Sequence, residues 1–350
     1  MRPQRSGLTT APLTITADDM VRSPAWLPLE AVDGHAMRVV YLDEAAYRAA
    51  SFLDQRILGL GHEQRRCERA VLEAAAARLA PRSHYLFHTG HVGSTLVSRL
   101  IGAHPGFFSL REPALLRSVA VPPTPAGSAL NLGTVLGFLG RTWRPNQRAV
   151  VKATSFVSEL AEPILAADPG AAAIFMFARP LAYLRGILAG PNSRVESRYL
   201  APSRLQRLTR RLGGEPGTQP RSEGEYVAMS WLCEMAALCQ AAVGFERRIL
   251  WVDFDDFLAD PGPGLQAVFH AFGASPAPGE VEALLAGPLM RQYSKAPEYP
   301  YDAQLRRRVL RSADAEHAGE IKRGMNWLQE VAMHHRLIAA VLERAAREGP

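Results

Sequence analysis

The 350-residue sequence contains little lysine: of its 40 basic residues only Lys152, Lys295 and Lys322 are lysines, and the other 37 are arginines. It contains little cysteine as well. The three cysteines are odd in number and form no CxxC pair, which excludes the disulfide framework of small secreted domains and favours a reduced, intracellular chain. A lysine that is retained against so strong a preference for arginine merits examination as a functional residue.

Long hydrophobic runs are absent too. The N-terminal twenty residues lack the apolar segment that a secretory signal needs. The longest run of small apolar residues, Ala171 to Ala178, is far shorter than the roughly 20 residues of a membrane-spanning helix. These absences predict a cytoplasmic protein without a membrane span.

The charge balance is mildly positive, with a net charge of +6. Such a balance suits anionic ligands, but no basic block interleaved with aromatic residues is present, so nucleic acid is not a predicted partner. Hydrophobic residues make up 47% of the chain and charged residues 21%, which excludes a disordered polypeptide. The length allows one large α/β domain or two smaller ones.

Four apolar segments have the composition of buried strands and alternate with helical patterns. They are residues 84–89, 148–154, 171–178 and 249–254. The helices predicted after them cover residues 96–104, 155–166, 180–188 and 261–272. This alternation predicts an α/β fold with a central parallel sheet flanked by helices on both faces, together with helical insertions and a helical C-terminus.

We expect a single α/β domain over residues 81–350, on which residues 1–80 pack as an N-terminal extension. Within that extension, residues 37–42 are a predicted strand, and residues 43–58 and 62–80 are predicted helices. Residues 190–224 interrupt the alternation and are rich in Gly, Pro and Ser at their ends. They therefore have the composition of a lid or an insertion.

A glycine-bearing turn at residues 90–95 joins the first of these strands to its helix. Gly90 and Gly93 allow backbone N–H groups to approach a ligand, and Ser94 and Thr95 add hydroxyl groups at a helix N-terminus, where anions are favoured. The turn thus has the composition of a phosphate or sulfate cradle. It is not a Walker A loop, because no lysine follows Gly93.

At this turn the chain resembles the sulfotransferases that use 3′-phosphoadenosine 5′-phosphosulfate (PAPS). Their P-loop-like fold carries a strand, a loop of the type Arg-Ser-Gly-Thr-Thr, a helix and often a His-Pro pair. Residues 91–95 (His-Val-Gly-Ser-Thr) and 104–105 (His-Pro) stand at those places here. The spacing is closest to the tyrosylprotein and bacterial branch, in which a catalytic glutamate follows the loop glycine by nineteen residues. Glu112 has that spacing from Gly93.

Three further segments resemble the family in the same order: residues 150–152, 175–180 and 251–261. Two departures concern the site of the cofactor 3′-phosphate. Ile187 stands where the family has a serine, and Phe254 stands where it has a tyrosine. Arg185, which follows Arg179 by one and a half helical turns, is a candidate to compensate.

The resemblance implies a reaction in which a sulfuryl group passes from PAPS, without a metal, to a hydroxyl or amine of an acceptor that the sequence does not identify. It implies that Glu112 is the general base, that Lys152 is a point charge beside the transferring group, and that His91 donates to the sulfuryl oxygens. The cofactor site that it implies consists of Gly90, His91, Val92, Gly93, Ser94, Thr95, Arg179, Arg185, Ser294 and Lys295.

Two other functions remain open on the sequence. One is a P-loop nucleotide kinase or NTPase, in which Asp253 would hold magnesium at the end of its strand. The other is a non-catalytic nucleotide-binding protein that kept the cradle. Glu112 has its own alternative interpretation as a carboxylate capping the helix that Pro113 opens.

Several basic or metal-binding residue types have plain structural interpretations. His84 and His88 are expected on a buried strand rather than in a zinc site. Four arginines of the lid segment fall on one helical face, which is typical of a solvated charged surface and alternatively of a lid that attracts an acidic acceptor or the cofactor. They are Arg204, Arg207, Arg210 and Arg211. The basic run at residues 306–308 has the same two interpretations.

Overall fold

The computed structural model describes residues 14–121, 130–296 and 298–347. Within these ranges eight strands form two sheets. The strands are β1 (Trp26–Ala31), β2 (Ala36–Tyr41), β3 (Gln64–Glu68), β4 (Ser83–His88), β5 (Phe107–Arg111), β6 (Arg148–Lys152), β7 (Ala173–Phe177) and β8 (Ile249–Asp253).

Fifteen α-helices accompany them in the described ranges. They are α1 (Ala17–Arg22), α2 (Glu44–Ala49), α3 (Arg69–Ala76), α4 (Ser94–Ala103), α5 (Ala114–Ala120), α6 (Leu132–Leu139), α7 (Ala161–Ala167), α8 (Pro180–Leu188), α9 (Pro191–Leu212), α10 (Glu223–Phe245), α11 (Phe254–Ala259), α12 (Pro261–Ala271), α13 (Glu280–Ala286), α14 (Ala303–His334) and α15 (Arg336–Ala346). Short 3-10 segments cover Gln55–Leu60, Ser155–Leu160, Glu246–Arg248 and Pro288–Arg291.

The central sheet has five strands in the order β5-β6-β4-β7-β8, and every neighbouring pair is parallel. Alternate residues of β4 pack into two different hydrophobic cores, one on each face of the sheet. Leu86 packs into one hydrophobic cluster, whereas Tyr85 and Phe87 pack into the other. Both faces are therefore covered, which explains why the strands read as continuous apolar runs. The predicted α/β class with a central parallel sheet flanked by helices is confirmed.

The N-terminal region forms a small antiparallel sheet in the order β1-β2-β3. Its inward-facing residues, such as Leu27 and Val39, belong to the same cluster as Phe87 of the central sheet. The prediction of one helix over residues 62–80 is wrong. Residues 64–68 pair with β2 instead, because alternation places Cys67 in the core and charged neighbours outside.

The structure differs from the sequence prediction at three other places. The helix expected over residues 43–58 is a short α2 followed by the 3-10 segment Gln55–Leu60. Strand β5 was not predicted, and it adds an edge strand directly before Glu112. The lid segment is mostly α9, whose Arg204 is buried and pairs with Glu234 of α10 at 3.2 Å. For Arg204 the solvated-face interpretation is therefore wrong.

Helix α10 lies at the centre of the helical layer. Together with the 3-10 turn that follows, it is long and apolar enough to cross a membrane. Its most apolar stretch of 18 residues has a mean hydropathy of 1.4, but 78% of that stretch is buried inside the fold. Its apolar residues, Trp231 and Leu232 among them, belong to the core. Burial in the protein thus accounts for its hydropathy.

Candidate active site

The turn between β4 and α4 forms a cradle of unpaired backbone donors. The N–H groups of residues 91–95 make no hydrogen bond to any described residue, and α4 has no side-chain cap. Gly93 has φ of +66°, and a Cβ atom placed there would overlap the ring of Phe254. Glycine at this position therefore satisfies both the left-handed backbone and the close approach of α11.

One hydroxyl of the cradle supports its interpretation as an anion site. The Oγ1 atom of Thr95 is buried and has no hydrogen-bond partner among the described residues. An unsatisfied buried hydroxyl is unfavourable unless a ligand completes it. Beside it lies a cavity of about 250 Å³ that is lined by His91 to Leu96 and, on its other side, by Phe254, Lys295 and Arg306. We call this the loop cavity.

Glu112 follows β5 directly and has φ of +51°, which is uncommon for a residue with a side chain. Its N–H donates to the carbonyl oxygen of Lys152 at 2.7 Å, and the ammonium of Lys152 donates to its carboxylate. Helix α5 begins after Pro113 without a side-chain cap. The interpretation of Glu112 as a helix cap is therefore wrong.

Lys152 lies behind Glu112 and has no exposed surface. Burial lowers its pKa to about 8, an effect that the neighbouring carboxylate of Glu112 opposes. The ammonium lines neither the loop cavity nor the cavity into which Glu112 faces. The structure thus places its charge against the carboxylate of Glu112.

Arg111 anchors the end of β5. It is 3% exposed, and its guanidinium donates to the carbonyl oxygens of Ala50 at 2.7 Å and Arg48 at 3.0 Å, and also to that of Tyr47. Burial, with Arg99 and Arg48 nearby, lowers its pKa to about 9. These bonds fix the end of β5, which Glu112 directly follows.

Glu112 faces a second cavity of about 290 Å³, which we call the Glu112 cavity. Its wall includes four aromatic rings, those of Phe52, Phe156, Tyr183 and Tyr199. His91 and Lys295 line both this cavity and the loop cavity. The two cavities therefore meet at these two residues, between the carboxylate and the cradle.

His91 connects the cradle to α9. It has φ of +54°, its Nδ1 atom lies 3.4 Å from the hydroxyl of Ser193, and its Nε2 atom lies 3.6 Å from the carboxylate of Glu196. The contact with His91 lowers the pKa of Glu196. The ring is thereby held beside the boundary of the two cavities.

Lys295 reaches the same boundary from the loop before α14. Its ammonium lies 5.7 Å from the centre of the Phe52 ring. The loop is tied down through its backbone, because Arg99 of α4 donates to the carbonyl oxygen of Ser294 at 2.9 Å and Ser51 donates to that of Lys295 at 3.4 Å. Ser294 and Lys295, which the sequence predicted as cofactor-binding residues, both line the loop cavity.

The structure does not bring Arg179 and Arg185 to either cavity. Arg179 donates two hydrogen bonds to Asp256, at 2.9 and 2.8 Å, and lines a separate hollow. Arg185 donates to Asp314 at 2.7 Å. Their assignment to the cofactor stays a prediction from the sequence, and the geometry does not support it.

Arg306 of α14 lines the loop cavity, which neither Arg179 nor Arg185 reaches. Its guanidinium donates to Asp255 at 2.5 and 2.9 Å and stacks over the Phe254 ring at 4.6 Å. The basic run at residues 306–308 was its only signal in the sequence. That run does not show which arginine turns inward.

His88 was also missed as a site residue. The ring is 5% exposed and lines the Glu112 cavity. The turn that follows it contributed the signal for the cradle, whereas the histidine itself was attributed to the strand core. Among the described residues no group of three His, Cys, Asp or Glu side chains has the arrangement of a metal site.

Comparison with known proteins gives structural matches only. No family model matches the chain, and no curated protein matches it. A sulfotransferase domain from the curacin biosynthetic pathway is 14% identical with a TM-score of 0.40, covering 71% of this chain and 98% of that one. Mouse sulfotransferase SULT7A1 complexed with PAP is 11% identical with a TM-score of 0.43, covering 78% and 93%.

A third match is the sulfotransferase of Alicyclobacillus acidocaldarius, 16% identical with a TM-score of 0.36 over 59% of this chain and 90% of that one. These solved structures belong to the class of protein that the sequence motifs resemble. At such low identity and with TM-scores below 0.5, these matches say nothing about the function of this chain.

Proposed function

We propose that this protein is a sulfotransferase that moves a sulfuryl group from PAPS to a hydroxyl or amine of an acceptor molecule, with Glu112 as the general base. One observation carries the proposal. The carboxylate of Glu112, backed by the buried ammonium of Lys152, faces a cavity that meets an anion cradle at His91 and Lys295. A base, a cationic boundary and a cradle are the parts that sulfuryl transfer needs.

The residues of the cradle fit the phosphosulfate end of PAPS. The unpaired N–H groups of residues 91–95 and the unsatisfied hydroxyl of Thr95 are donors suited to anionic oxygens. When bound, PAPS would supply the sulfuryl group and a phosphate leaving group. Lys295 and His91 would face the transferring group from the boundary of the cavities.

The protein's own part in the reaction is orientation and proton transfer. An acceptor hydroxyl in the Glu112 cavity would give its proton to the carboxylate as its oxygen approaches sulfur. Lys152 would act on the carboxylate, by fixing its position and compensating its charge, because its ammonium lines neither cavity. This role differs from the direct contact with the transferring group that the resemblance implies.

A nucleotide kinase or NTPase is less well supported. Asp253, its candidate magnesium ligand, accepts hydrogen bonds from the backbone N–H groups of Arg179, Asp255 and Asp256. The carboxylate is thus engaged in capping α11, and it lines the separate hollow with Arg179. No specific observation favours a non-catalytic role.

The proposal is tested by following radioactive sulfate from ³⁵S-labelled PAPS to 2-naphthol and to water, with wild type and Glu112→Gln. We expect transfer by the wild type and a loss of roughly 10²- to 10⁴-fold in the variant, while binding of 3′,5′-adenosine bisphosphate persists. Asp54→Asn removes another carboxylate of the same cavity and should have a far smaller effect. Equal rates in wild type and Glu112→Gln would show that Glu112 is not the base.

A further inference from the structure

His88 ends β4 beside the Glu112–Lys152 pair. Leu86 is the register partner of Lys152, and His88 lies two residues further along the same strand. Because side chains alternate along a strand, His88 projects from the same face of the sheet as Lys152. Its ring lines the cavity into which Glu112 faces.

The hydrogen bonds of the ring determine where its proton lies. The N–H of Gly90 donates to Nδ1 of His88 at 3.1 Å. A neutral imidazole carries one N–H and one acceptor nitrogen, so the proton belongs to Nε2. Nε2 already carries a proton, and the lone pair of Nδ1 accepts from Gly90. Nε2 is therefore a hydrogen-bond donor rather than a base.

The Nε2 donor is buried, and no described residue accepts a hydrogen bond from it within the usual distance and angle. Burial, together with the charges of Lys152 and Lys295, lowers the pKa of His88 well below 6.5, and an interaction with the backbone of Ala153 opposes this shift. The ring is therefore a neutral donor at physiological pH, and a buried donor without a partner is unfavourable unless a bound molecule completes it.

We infer that His88 donates a hydrogen bond from Nε2 to the reacting atom of the acceptor, and that this bond restricts the acceptor to hydroxyl groups. The inference rests on the proposed function, which left hydroxyl and amine acceptors open. It also separates two roles in the cavity. Glu112 accepts the proton of the acceptor hydroxyl, whereas His88 donates a hydrogen bond to one lone pair of the acceptor oxygen.

A count of lone pairs explains the restriction. A hydroxyl oxygen has one proton and two lone pairs. Its proton goes to the carboxylate of Glu112, one lone pair accepts from His88, and the other forms the new O–S bond while the S–O bond to the phosphate of PAPS breaks. A neutral amine nitrogen has a single lone pair, which His88 would occupy, and an ammonium has none. Only oxygen keeps an electron pair for sulfur.

The tautomer can be tested without any substrate. Two-bond ¹H–¹⁵N spectra of histidine-labelled protein, with His88 assigned by comparison with a His88 variant, report which nitrogen carries the proton. We expect the proton on Nε2 and a neutral ring at pH 7. A proton on Nδ1, or a charged ring, would overturn the inference whatever the activity.

Two substitutions separate the nitrogen atoms. His88→Asn retains an acceptor near the Nδ1 position for Gly90 but removes the Nε2 donor, whereas His88→Gln retains a donor near Nε2. With 2-naphthol as acceptor we expect His88→Asn to lose about 10²-fold in turnover and His88→Gln to lose much less. With 2-naphthylamine, His88→Asn should not lose activity, so its preference for the hydroxyl should collapse.

The outcomes distinguish the inference from the proposed function. If the wild type transfers sulfate but His88→Asn keeps the wild-type ratio of naphthol to naphthylamine turnover, the inference is wrong and the function stands. If His88→Gln is the weaker variant, His88 acts through Gly90 and the loop, which also contradicts the inference. If the wild type neither binds 3′,5′-adenosine bisphosphate nor transfers sulfate to naphthol, naphthylamine or water, the proposed function itself fails.

Discussion

Lys152 and Glu112 are joined twice: the Lys152 ammonium donates to the Glu112 carboxylate, and the Glu112 N–H donates to the Lys152 carbonyl oxygen at 2.7 Å. Lys152 ends β6, and Glu112 directly follows the adjacent parallel strand β5. This double connection holds the carboxylate at the edge of the sheet where ligands of parallel α/β folds bind.

The pH dependence of transfer should follow Lys152. Burial lowers its pKa from 10.5 to about 8, so the ammonium loses its proton above that pH and no longer compensates Glu112. We expect kcat/KM to fall above pH 8, and the fall to be absent from the residual activity of Lys152→Met. A profile that stays level to pH 10 would contradict this role.

The same lowered pKa predicts that stability, unlike activity, rises above pH 8. Between about pH 8 and 10.5 the unfolded chain keeps a proton on Lys152 that the folded chain has released. The contribution of this group to the free energy of unfolding therefore rises with pH across that window. Urea denaturation at several pH values should show that the free energy of unfolding of the wild type rises, relative to that of Lys152→Met, between about pH 8 and 10.5. A difference that is constant with pH would contradict the lowered pKa.

Gly93→Ala should abolish ligand binding at the cradle. The new Cβ would overlap the Phe254 ring, whereas Gly61, which has a similar positive φ of +76°, has no atom within 4 Å of such a Cβ. Gly61→Ala is thus a matched control for backbone strain, which costs about 1–2 kcal/mol. We expect denaturation to show a loss in both variants, larger for Gly93→Ala, and calorimetry to show lost binding of 3′,5′-adenosine bisphosphate only in Gly93→Ala. Equal binding in the two variants would show that the turn is not the anion site.

Lys295→Ala should weaken binding of the same bisphosphate or of PAPS, because it removes a cation that lines both cavities. Charge-assisted hydrogen bonds contribute about 1.5–3 kcal/mol, so a rise in Kd of about 10- to 100-fold is expected for whichever ligand it contacts. Lys322, which is exposed on α14, supplies the control, and Lys322→Ala should bind like the wild type. Indistinguishable affinities of the two variants for both ligands would remove Lys295 from the site.

Glu234→Gln should destabilise the fold. Glu234 has no exposed surface and pairs with Arg204 and Arg207, so the substitution leaves the buried guanidinium of Arg204 without its carboxylate partner, at a loss of about 3–5 kcal/mol. Glu246→Gln breaks the exposed pair with Arg344 and should cost less than about 1 kcal/mol. Chemical denaturation measures both. A small loss in Glu234→Gln would show that the ion pairs do not hold α9 to α10.

The parts of the site that sequence could predict are those encoded locally. The cradle follows from a strand, two glycines and two hydroxyl residues in succession, a short stretch whose geometry the neighbouring residues determine. Glu112 was expected only from the resemblance, through its spacing from Gly93, and its position depends on the distant Lys152. The parallel sheet was likewise predictable from the continuous apolar strands.

The parts that sequence could not predict depend on distant partners. Arg179 follows a central strand, as expected, but Asp256 engages its guanidinium. Arg306 lines the loop cavity, where Asp255 and Phe254 hold its guanidinium. His88 looked like a core residue, since its missing hydrogen-bond partner is visible only in three dimensions.

The central claim is that the cradle holds a 3′-phosphoadenosine nucleotide rather than a nucleoside triphosphate. Calorimetric titration of the wild type with 3′,5′-adenosine bisphosphate and, separately, with Mg-ATP tests it most directly. We predict micromolar binding of the bisphosphate and no measurable binding of Mg-ATP. Binding of Mg-ATP alone would contradict the account and favour a nucleotide kinase or NTPase.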